Sequence, residues 1–338
     1  MRSIVKISCL LSLAGVVAAA QITLAQNQQD LRGTLIVLNK SGHDASFIDL
    51  GSGEILETLP TGRGPHELAV SDDGRWAVGT DYSGGDSLTV FDVEELVVAR
   101  TIGLQDYPRP HGIHFLPGQE RVIVTSEASQ QLVIVDYQAG NILRSIDTGQ
   151  RGSHMVALSQ DGTVAYTSNG SADSVSVIDV LTGQLTRTLD VPDRPEAITT
   201  NRRGDEIWVG SNEEGVVSVV SAASGAISRQ WSGFSWPYRI LLTDDEKYAI
   251  MPDLGNEQLR FFDVESGLET GRMDLKGAQP QGVTLYSDDR TLCISLSAQN
   301  KVLAVNLLTQ EILGEYATGD APDGIGYSPL VLKKTIDY

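Results

Sequence analysis

The sequence predicts an all-β protein, a seven-bladed β-propeller built from four-stranded antiparallel blades. Three observations predict this fold: a repeat of about 43 residues, four strand-like runs in each repeat, and two chain ends that together make one complete repeat. A repeat of this length is typical of propeller blades. Similar segments begin 42 to 45 residues apart at Pro65, Pro110, Ser153, Pro195, Pro237, Pro280 and Pro322.

Each repeat contains four short runs separated by turn residues. The opening segment is followed by a polar turn such as Asp72-Asp73-Gly74 and then by a short apolar run, WAVGT at Trp76. An alternating run such as VSVID at Val175 and a fourth run complete the unit. Short alternating runs bounded by turn residues are typical of antiparallel strands. Four of them at this period predict one blade.

The two ends of the repeat region predict how the ring closes. The segment from Thr34 to Asn39 corresponds to the second strand of the other repeats, and the segment from Pro322 to Pro329 is a first strand with no others after it. We expect the two segments to pair in one blade, with the C-terminal strand innermost, so that no sheet edge is left open. The propeller would then span 34–329, and residues 330–338 would form a C-terminal tail.

The first 25 residues differ from the repeats. Arg2 and Lys6 flank the start of an apolar run of 14 residues that ends at Ala20, and small residues allow cleavage there or after Ala25. This is the pattern of a secretory signal peptide. We therefore expect residues 1–25 to be removed and the mature protein to be periplasmic or secreted. The run is shorter than the roughly 18 residues that span a bilayer, so we expect no membrane span.

Composition and charge exclude several classes of protein. The 338 residues are 41% hydrophobic and 20% charged, which is enough to bury a large core. The net charge of −19 becomes −21 once Arg2 and Lys6 are removed. A surface this acidic repels a phosphate backbone, so we expect no nucleic-acid partner. Separately, we expect a monomer. Cys293 would be the only cysteine left, and its apolar surroundings in the sequence predict a buried thiol without a disulfide.

A carboxylate recurs at the end of the third strand in five repeats. A side-chain acceptor at a strand end can accept hydrogen bonds from the backbone N–H groups of the following turn. We interpret this position as structural. Its occupants are Asp49, Asp92, Asp136, Asp179 and Asp263, with Ser221 and Asn306 in the other two repeats.

Two runs carry a resemblance to a known family. The runs VIVTS, at Val122–Ser126, and VSVID, at Val175–Asp179, resemble the repeat of the YVTN-type (YncE-like) propeller family, within the lactonase-like propeller superfamily. The likeness spans Thr34 to Pro329, although the family's tyrosine is missing from repeats such as AVGTD at Ala77. The resemblance implies the propeller fold. It also extends to lactonase-like and streptogramin-lyase-like enzymes, and to propellers with no assigned activity.

Three of the five histidines occupy one repeat position. His66, His111 and His154 each follow the residue that opens an inner strand, which places them at the rim of the central channel. Converging imidazoles are good ligands for a divalent transition metal, so we predict that these three histidines could hold one. The alternative is that they descend from one ancestral blade and share no task. The same position in the remaining repeats holds Glu196, Tyr238, Gln281 and Asp323.

Arginines lie within three residues of this ring, in an otherwise acidic protein. Basic groups gathered at one mouth of the channel would favour a small anion such as a carboxylate or a phosphate. We therefore predict ligand contacts from Tyr238, Gln281, Asp323 and the five arginines Arg63, Arg109, Arg151, Arg194 and Arg239. Polar residues near the ends of the second strands could supply a general base or orienting hydrogen bonds. They are Asn39, Asp81, Glu127, Asn169, Asn212 and Asp253.

Two functional hypotheses from different classes follow. The first is a lactonase- or lyase-like enzyme that acts on a small anionic ligand, with or without a metal, in which His111, Glu127 and Glu196 are the catalytic candidates. The second is a non-catalytic propeller that binds a partner protein, a cell-wall component or a ligand. The three aligned histidines favour the enzyme. The degenerate repeats and the acidic surface favour the binding protein.

Overall fold

A computed structural model describes residues 31–333. They form seven antiparallel sheets of four strands each, and each sheet is one blade of a propeller. The fold class expected from the sequence is confirmed. The expected signal peptide, 1–25, and residues 334–338 of the expected tail lie outside the described residues.

Each blade runs from an inner strand at the central channel to an outer strand at the periphery. In blades 1 to 7, the inner strands are β28 (Pro322–Ser328), β4 (Pro65–Val70), β8 (Pro110–Phe115), β12 (Ser153–Leu158), β16 (Pro195–Thr200), β20 (Leu241–Leu242) and β24 (Pro280–Leu285). The second strands are β1 (Thr34–Asn39), β5 (Trp76–Asp81), β9 (Arg121–Ser126), β13 (Val164–Asn169), β17 (Glu206–Ser211), β21 (Tyr248–Asp253) and β25 (Thr291–Leu296).

The outer half of each blade repeats in the same way. The third strands are β2 (Asp44–Asp49), β6 (Ser87–Asp92), β10 (Gln131–Asp136), β14 (Ser174–Asp179), β18 (Val216–Ser221), β22 (Gln258–Asp263) and β26 (Lys301–Asn306). The outer strands are β3 (Ile55–Pro60), β7 (Val97–Gly103), β11 (Asn141–Asp147), β15 (Gln184–Asp190), β19 (Ile227–Trp231), β23 (Glu269–Asp274) and β27 (Ile312–Ala317). A single turn of 3-10 helix, Ser297–Gln299, follows β25.

Blade 1 closes the ring as the sequence predicts. Strand β28 pairs antiparallel with β1, with Ser328 opposite Thr34 and Pro322 opposite Asn39. Beyond the strand, the backbone carbonyl of Leu330 accepts a hydrogen bond from Thr34 Oγ1 at 2.8 Å, and Leu330 packs against the apolar cluster between blades 1 and 2. The first residues of the expected tail therefore contribute to the closure.

A β-bulge begins every inner strand. In blade 2, Pro65 lies opposite Asp81 but Leu68 lies opposite Gly79, so the inner strand holds one residue more than its partner over this stretch. The same one-residue shift occurs in the other six blades. A bulge changes the direction in which neighbouring side chains point. The two residues that follow the opening residue of each repeat lie within it; in blade 6 the shift falls between the isolated bridge at Pro237 and β20.

The inner strands of neighbouring blades touch along their backbones at the channel. A Cβ atom added at Gly112 would lie closer than 3.0 Å to the backbone of Met155 and Val156 in the next blade. The same is true of Gly324, which faces the backbone of His66. These positions require glycine, because two strands this close leave no room for a Cβ atom between them.

Apolar side chains fill the spaces between blades. Val78 and Val90 of blade 2, for example, pack in one cluster with Ile113 and Val124 of blade 3. Cys293 lies in the cluster between blades 7 and 1 and is 1% exposed, as predicted. Burial raises the pKa of its thiol to about 12, so this thiol is unreactive at neutral pH.

The recurring strand-end acids hold turns. Asp49 Oδ1 accepts the backbone N–H of Ser52 at 2.6 Å, and Asp179 Oδ1 accepts that of Thr182 at 2.7 Å. The structural interpretation of this repeat position is confirmed, since the N–H three residues further on is bound in every blade. Within residues 31–333, no helix is long and apolar enough to cross a membrane.

Closure of blade 1 generates the first testable prediction. Deleting 320–338 removes β28, exposes the hydrogen-bonding edge of β1 and opens the apolar clusters on both sides of the blade. We expect the truncated protein to lose its cooperative thermal transition in circular dichroism. Deleting only 334–338 removes none of the described contacts and is the matched control. A 320–338 deletion that melts like the full-length protein would contradict the closure.

Candidate functional site

Two rings of side chains meet at one mouth of the channel. The first ring is the residue that follows the opening residue of each repeat, and it includes the three histidines; in blade 6 it is Tyr238, which precedes the short strand β20. The second ring is the residue that follows each second strand: Lys40, Tyr82, Glu127, Gly170, Asn212, Leu254 and Ser297. Side chains of both rings line a cavity of about 430 Å³. This volume lies within the range of small-molecule sites.

Asp323 is the most highly coordinated charge of the site and is fully buried. Lys40 Nζ lies 2.9 Å from its Oδ2, and the Tyr238 hydroxyl donates to its carboxylate at 3.1 Å. The Gln281 amide nitrogen, in the orientation that satisfies its neighbours, donates to both oxygens at 3.2 Å. Burial alone would raise the pKa of Asp323, but His66 and Lys40 outweigh it and hold the pKa well below its usual range. Asp323 is therefore ionised.

His66 and His111 are buried and neutral. His66 Nδ1 lies 2.9 Å from Asp323 Oδ2, in an electrostatic contact rather than a well-aligned hydrogen bond. Burial lowers the pKa of His66 to about 4 in spite of Asp323. Burial also lowers the pKa of His111 well below its ordinary value, and the nearby His154 and His66 lower it further. At neutral pH both rings carry a nitrogen lone pair.

Among residues 31–333, no carboxylate forms an ion pair with His111, in contrast to His66 and His154. It is 0% exposed, and its Nδ1 lies 3.2 Å from the sulfur of Met155. Its Nε2 is buried without a hydrogen-bond partner among the described residues. The rings of His66, Tyr82 and His154 surround it, with ring centroids 4.5, 4.6 and 3.6 Å away.

His154 lies between two carboxylates. Its Nδ1 is 3.4 Å from Glu127 Oε2, and its Nε2 is 3.9 Å from Glu196 Oε1. Both carboxylates and His154 line the cavity. The repeats explain this proximity, since the three residues come from the successive blades 3, 4 and 5. In sequence, His154 lies 27 residues after Glu127 and 42 residues before Glu196.

Glu127 is held in its ionised form. The Tyr82 hydroxyl donates to its Oε2 at 2.5 Å, and Arg109 Nη2 lies 3.2 Å from the same oxygen. Burial alone would raise the pKa of Glu127, but hydrogen bonds from His154 and Tyr82, and the charges of His154 and Arg109, bring it to about 2. Glu127 can accept a proton at any pH at which the protein is expected to work.

Glu196 has the opposite tendency. Its Oε2 accepts hydrogen bonds from Asn212 Nδ2 at 2.6 Å and from the Trp236 indole at 3.1 Å. Burial is the largest influence and raises the pKa of Glu196, although His154, Asn212 and Trp236 oppose the rise. Glu196 therefore retains a proton to higher pH than an ordinary glutamate does.

An ion pair lies next to this ring, one residue further along the inner strands. Arg239 Nη2 pairs with Glu67 Oε1, and the guanidinium carbon lies 4.1 Å from the centre of the Tyr238 ring. Both partners are largely buried. Burial lowers the pKa of Arg239 to about 10, so it stays protonated at neutral pH. Arg239, one of the five predicted anion contacts, is occupied by Glu67 and does not line the cavity.

The remaining predicted arginines divide into two pairs. Arg109 and Arg194 line the cavity, and Arg194 lies 5.9 Å from the centre of the Trp236 indole. Arg63 and Arg151 are exposed and do not belong to the cavity lining. The predicted ligand contacts Tyr238 and Gln281 do line it. Asp323 is not part of the lining and accepts hydrogen bonds from both of them.

Most of the strand-end polar residues serve the fold. Asn39, Asp81, Asn169 and Asp253 are fully buried and are bound to neighbouring hydroxyl, carboxylate or backbone groups, as in the 2.6 Å hydrogen bond from Ser87 Oγ to Asp81. Glu127 and Asn212 differ because they lie one residue beyond their strands, in the second ring.

Sequence analysis missed four residues of the site: Lys40, Glu67, Tyr82 and Trp236. Lys40 and Tyr82 share the second-ring position with Glu127, so aligning the residue after each second strand would have found them. Glu67 lies in the β-bulge of its strand, and one of its carboxylate oxygens lies within 4.8 Å of donor atoms of His66 and His111. Trp236 directly precedes Pro237 and so shares a repeat position with Arg109 and Arg194, but no other repeat has an aromatic residue at that position.

Three side chains bring possible metal-binding atoms together. One donor atom from each of His66, Glu67 and His111 lies within 4.8 Å of the other two. His154, which the sequence placed with the other two histidines, is not part of this group and faces Glu127 and Glu196 instead.

Comparisons with known proteins agree on the fold. No family model and no curated protein matches the sequence. Among solved structures, hydrazine synthase of Kuenenia stuttgartiensis is similar over 82% of this chain and 93% of that one, with a TM-score of 0.72 and 18% identity. A functionally unknown protein from Desulfotomaculum acetoxidans DSM 771 is similar over 88% and 99%, with a TM-score of 0.74 and 15% identity. Likeness at these identities shows the propeller fold alone.

The close contact of inner strands generates the second prediction. Replacing Gly324 by Ala would place a Cβ against the backbone of His66 at less than 3.0 Å, and neither strand can move aside in a closed ring. We expect this overpacking to lower the free energy of unfolding by about 1 to 3 kcal/mol. Chemical denaturation would measure the loss.

The control for this prediction is Gly103→Ala on an outer strand. A Cβ there meets only the flexible amide end of Gln105 at 3.3 Å. Its stability should stay close to that of the wild type. Equal stability of the two variants would show that the inner strands at Gly324 and His66 are not tightly packed.

Proposed function

We propose that the chain is a periplasmic or secreted propeller of the YVTN type that binds a small anionic ligand in its axial cavity and performs lactonase- or lyase-like acid–base chemistry on it. One observation carries the proposal: Glu127 and Glu196 flank His154, and their environments shift their pKa values in opposite directions. A pair of carboxylates separated in this way supports assignment of one as a base and the other as an acid.

Charge at the mouth supports an anionic ligand. Lys40, Arg109 and Arg194 line the cavity in a protein whose net charge is −19. Arginine binds carboxylate and phosphate through two parallel hydrogen bonds. Arg194 is the cation that the carboxylates of the site leave most available, because Lys40 contacts Asp323 and Arg109 contacts Glu127.

Aromatic rings support a ligand that is itself a ring. Tyr82, Trp236 and Tyr238 line the same cavity as the cations. The flat faces of such side chains pack against compact rings, and the hydroxyl and indole N–H groups fix orientation. A cyclic sugar acid, or a lactone that carries a separate carboxylate, has both features, a negative charge and a compact ring.

The acid–base pair would act in the same way in a hydrolase or a lyase. In lactone hydrolysis, Glu127 accepts a proton from the attacking water, the new C–O bond forms at the carbonyl carbon, and Glu196 protonates the ring oxygen as its bond to that carbon breaks. In an elimination, Glu127 accepts a proton from the carbon next to a carboxylate, and the electron pair of that C–H bond forms a C=C bond. Glu196 protonates the leaving oxygen as its C–O bond to the neighbouring carbon breaks. His154 would position both groups.

Turnover and binding separate this proposal from the non-catalytic alternative. The purified protein would be incubated with sugar-acid lactones and with uronate-containing oligosaccharides, with acid release and the ultraviolet absorbance of an unsaturated product as readouts. Glu127→Gln should abolish turnover while ligand binding persists, and Glu57→Gln, at an exposed position of β3, is the control. Binding without turnover in the wild type would favour the second functional class.

The third prediction concerns pH. The rate should fall as pH rises through the pKa of Glu196, which lies above 4.5, because the acid then loses its proton. The pKa of Glu127 is about 2, so the rate should fall on the acidic side of the pH–rate profile only at a much lower pH. Glu196→Gln should reduce kcat by about 10²- to 10⁴-fold and abolish this alkaline limb. An unchanged pH–rate profile in the variant would exclude Glu196 as the acid.

Stability gives an independent readout for the same residue. The folded protein binds the Glu196 proton more tightly than the unfolded chain does, so the contribution of this group to stability is present below pH 4.5 and is lost as pH rises through its raised pKa. Glu196→Gln should remove that part of the pH dependence. Denaturation curves of the two proteins across this window would measure the difference.

The fourth prediction concerns export. If residues 1–25 are a cleaved signal, the mature protein isolated from its native host should begin at Gln21 or Gln26 and be recovered in the periplasm or the medium. Intact-mass measurement decides this. A protein that retains Met1 and fractionates with membranes would contradict the export proposal.

A further inference from the structure

We propose that His66, Glu67 and His111 form a binding site for one divalent transition metal ion, next to the acid–base pair in the axial cavity. This site is distinct from the acid–base pair of Glu127 and Glu196, and it stands or falls without reference to turnover. It also differs from a site made of the three aligned histidines, because Glu67 takes the place of His154.

The β-bulge makes this combination possible. His66 and Glu67 are consecutive, and consecutive side chains of a regular strand point to opposite faces of the sheet. The bulge at Pro65–Leu68 breaks that alternation, and donor atoms of His66, Glu67 and His111 lie within 4.8 Å of one another. Small shifts of side chains would let these donor atoms surround one zinc ion at the zinc–ligand distances of roughly 2 Å that such sites have.

An unsatisfied imidazole provides a second, independent observation. His111 is 0% exposed, and its Nε2 has no hydrogen-bond partner among the described residues. A buried polar atom without a partner costs about 1 to 3 kcal/mol. Coordination of a metal would satisfy this nitrogen, since the weak contact of Nδ1 with Met155 leaves Nε2 free to act as a ligand.

Asp323 prepares His66 in the same sense. An ionised carboxylate 2.9 Å from Nδ1 repels a lone pair there and favours the N–H form, which leaves the lone pair on Nε2. Metal-binding histidines are commonly oriented by a carboxylate on the other ring nitrogen.

The charge balance indicates which metals would bind. Asp323 and Glu67 carry two negative charges, and Lys40 and Arg239, which contact them, carry two positive charges. The neighbourhood therefore offers little net attraction to a cation, and affinity must come from coordination by imidazole. Imidazole ligands suit zinc, cobalt, nickel and copper, whereas magnesium and calcium require oxygen ligands. Arg239 occupies one oxygen of Glu67 and leaves the second available to the metal.

The site would be open to the cavity on one side. His66 lines the cavity, whereas His111 lies buried behind it. Three protein ligands leave one position of a tetrahedral zinc or cobalt ion for a water molecule or a ligand oxygen. An anionic ligand held at the cavity mouth could therefore reach the metal directly.

The test uses the purified full-length protein after treatment with EDTA and removal of the chelator. Titration with Co²⁺ should give a saturable visible absorption spectrum typical of nitrogen and oxygen ligation at one equivalent, and Zn²⁺ should displace it. Mg²⁺ and Ca²⁺ should not. His111→Ala should weaken Co²⁺ binding by about 100-fold or more, and Asp323→Asn by about 10- to 100-fold through the orientation of His66.

His154→Ala is the matched control, because it removes an adjacent imidazole and damages the acid–base pair while leaving the three ligands in place. It should keep Co²⁺ affinity within a few-fold of the wild type even if all turnover is lost. The wild-type titration needs no variant to fold. No spectrum at millimolar Co²⁺, or loss of binding in His154→Ala with retention in His111→Ala, would overturn the metal site without touching the proposed function.

Discussion

The site depends on the close approach of neighbouring inner strands at the channel. Glycine at Gly112, Gly282 and Gly324 lets adjoining strands touch backbone to backbone, where a Cβ would lie closer than 3.0 Å to its neighbour. The larger residues of the ring lie close together there, with the ring centroids of His111 and His154 3.6 Å apart. Burial is accordingly the largest single influence on the pKa of His66, His111 and Glu196.

Buried charge is compatible with this hub because every charge has partners from other blades. Asp323 of blade 1 is bound by Lys40 of its own blade and contacts His66 of blade 2 and Tyr238 of blade 6. Arg239 of blade 6 pairs with Glu67 of blade 2. A buried charge that loses its partner is strongly destabilising. The polar site and the closure of the ring therefore support one another: the strand that closes the propeller also supplies the carboxylate that organises the site.

The sequence predicts the scaffold well because the scaffold repeats. Blade number, closure, the turn acids and the inward position of His66, His111 and His154 each follow from a pattern seen several times. The bulge has no such signal, since any residue can occupy it, and so the approach of Glu67 to the histidines was missed. The second ring was missed for a related reason: Lys40 and Tyr82 share a position with glycine, leucine and serine, and the chemistry of that ring differs from blade to blade.

The three histidines show how a duplicated position acquires different chemistry. The residue type recurs at one repeat position, but the surroundings of the three side chains are not shared. His66 faces the carboxylate of Asp323, His111 faces the sulfur of Met155, and His154 lies between two glutamates. Each partner comes from a neighbouring repeat, and the type of partner differs from one histidine to the next. A site confined to a rim of sevenfold pseudosymmetry can thus place neutral imidazoles, a carboxylate whose pKa is lowered and a carboxylate whose pKa is raised within a few ångströms of one another.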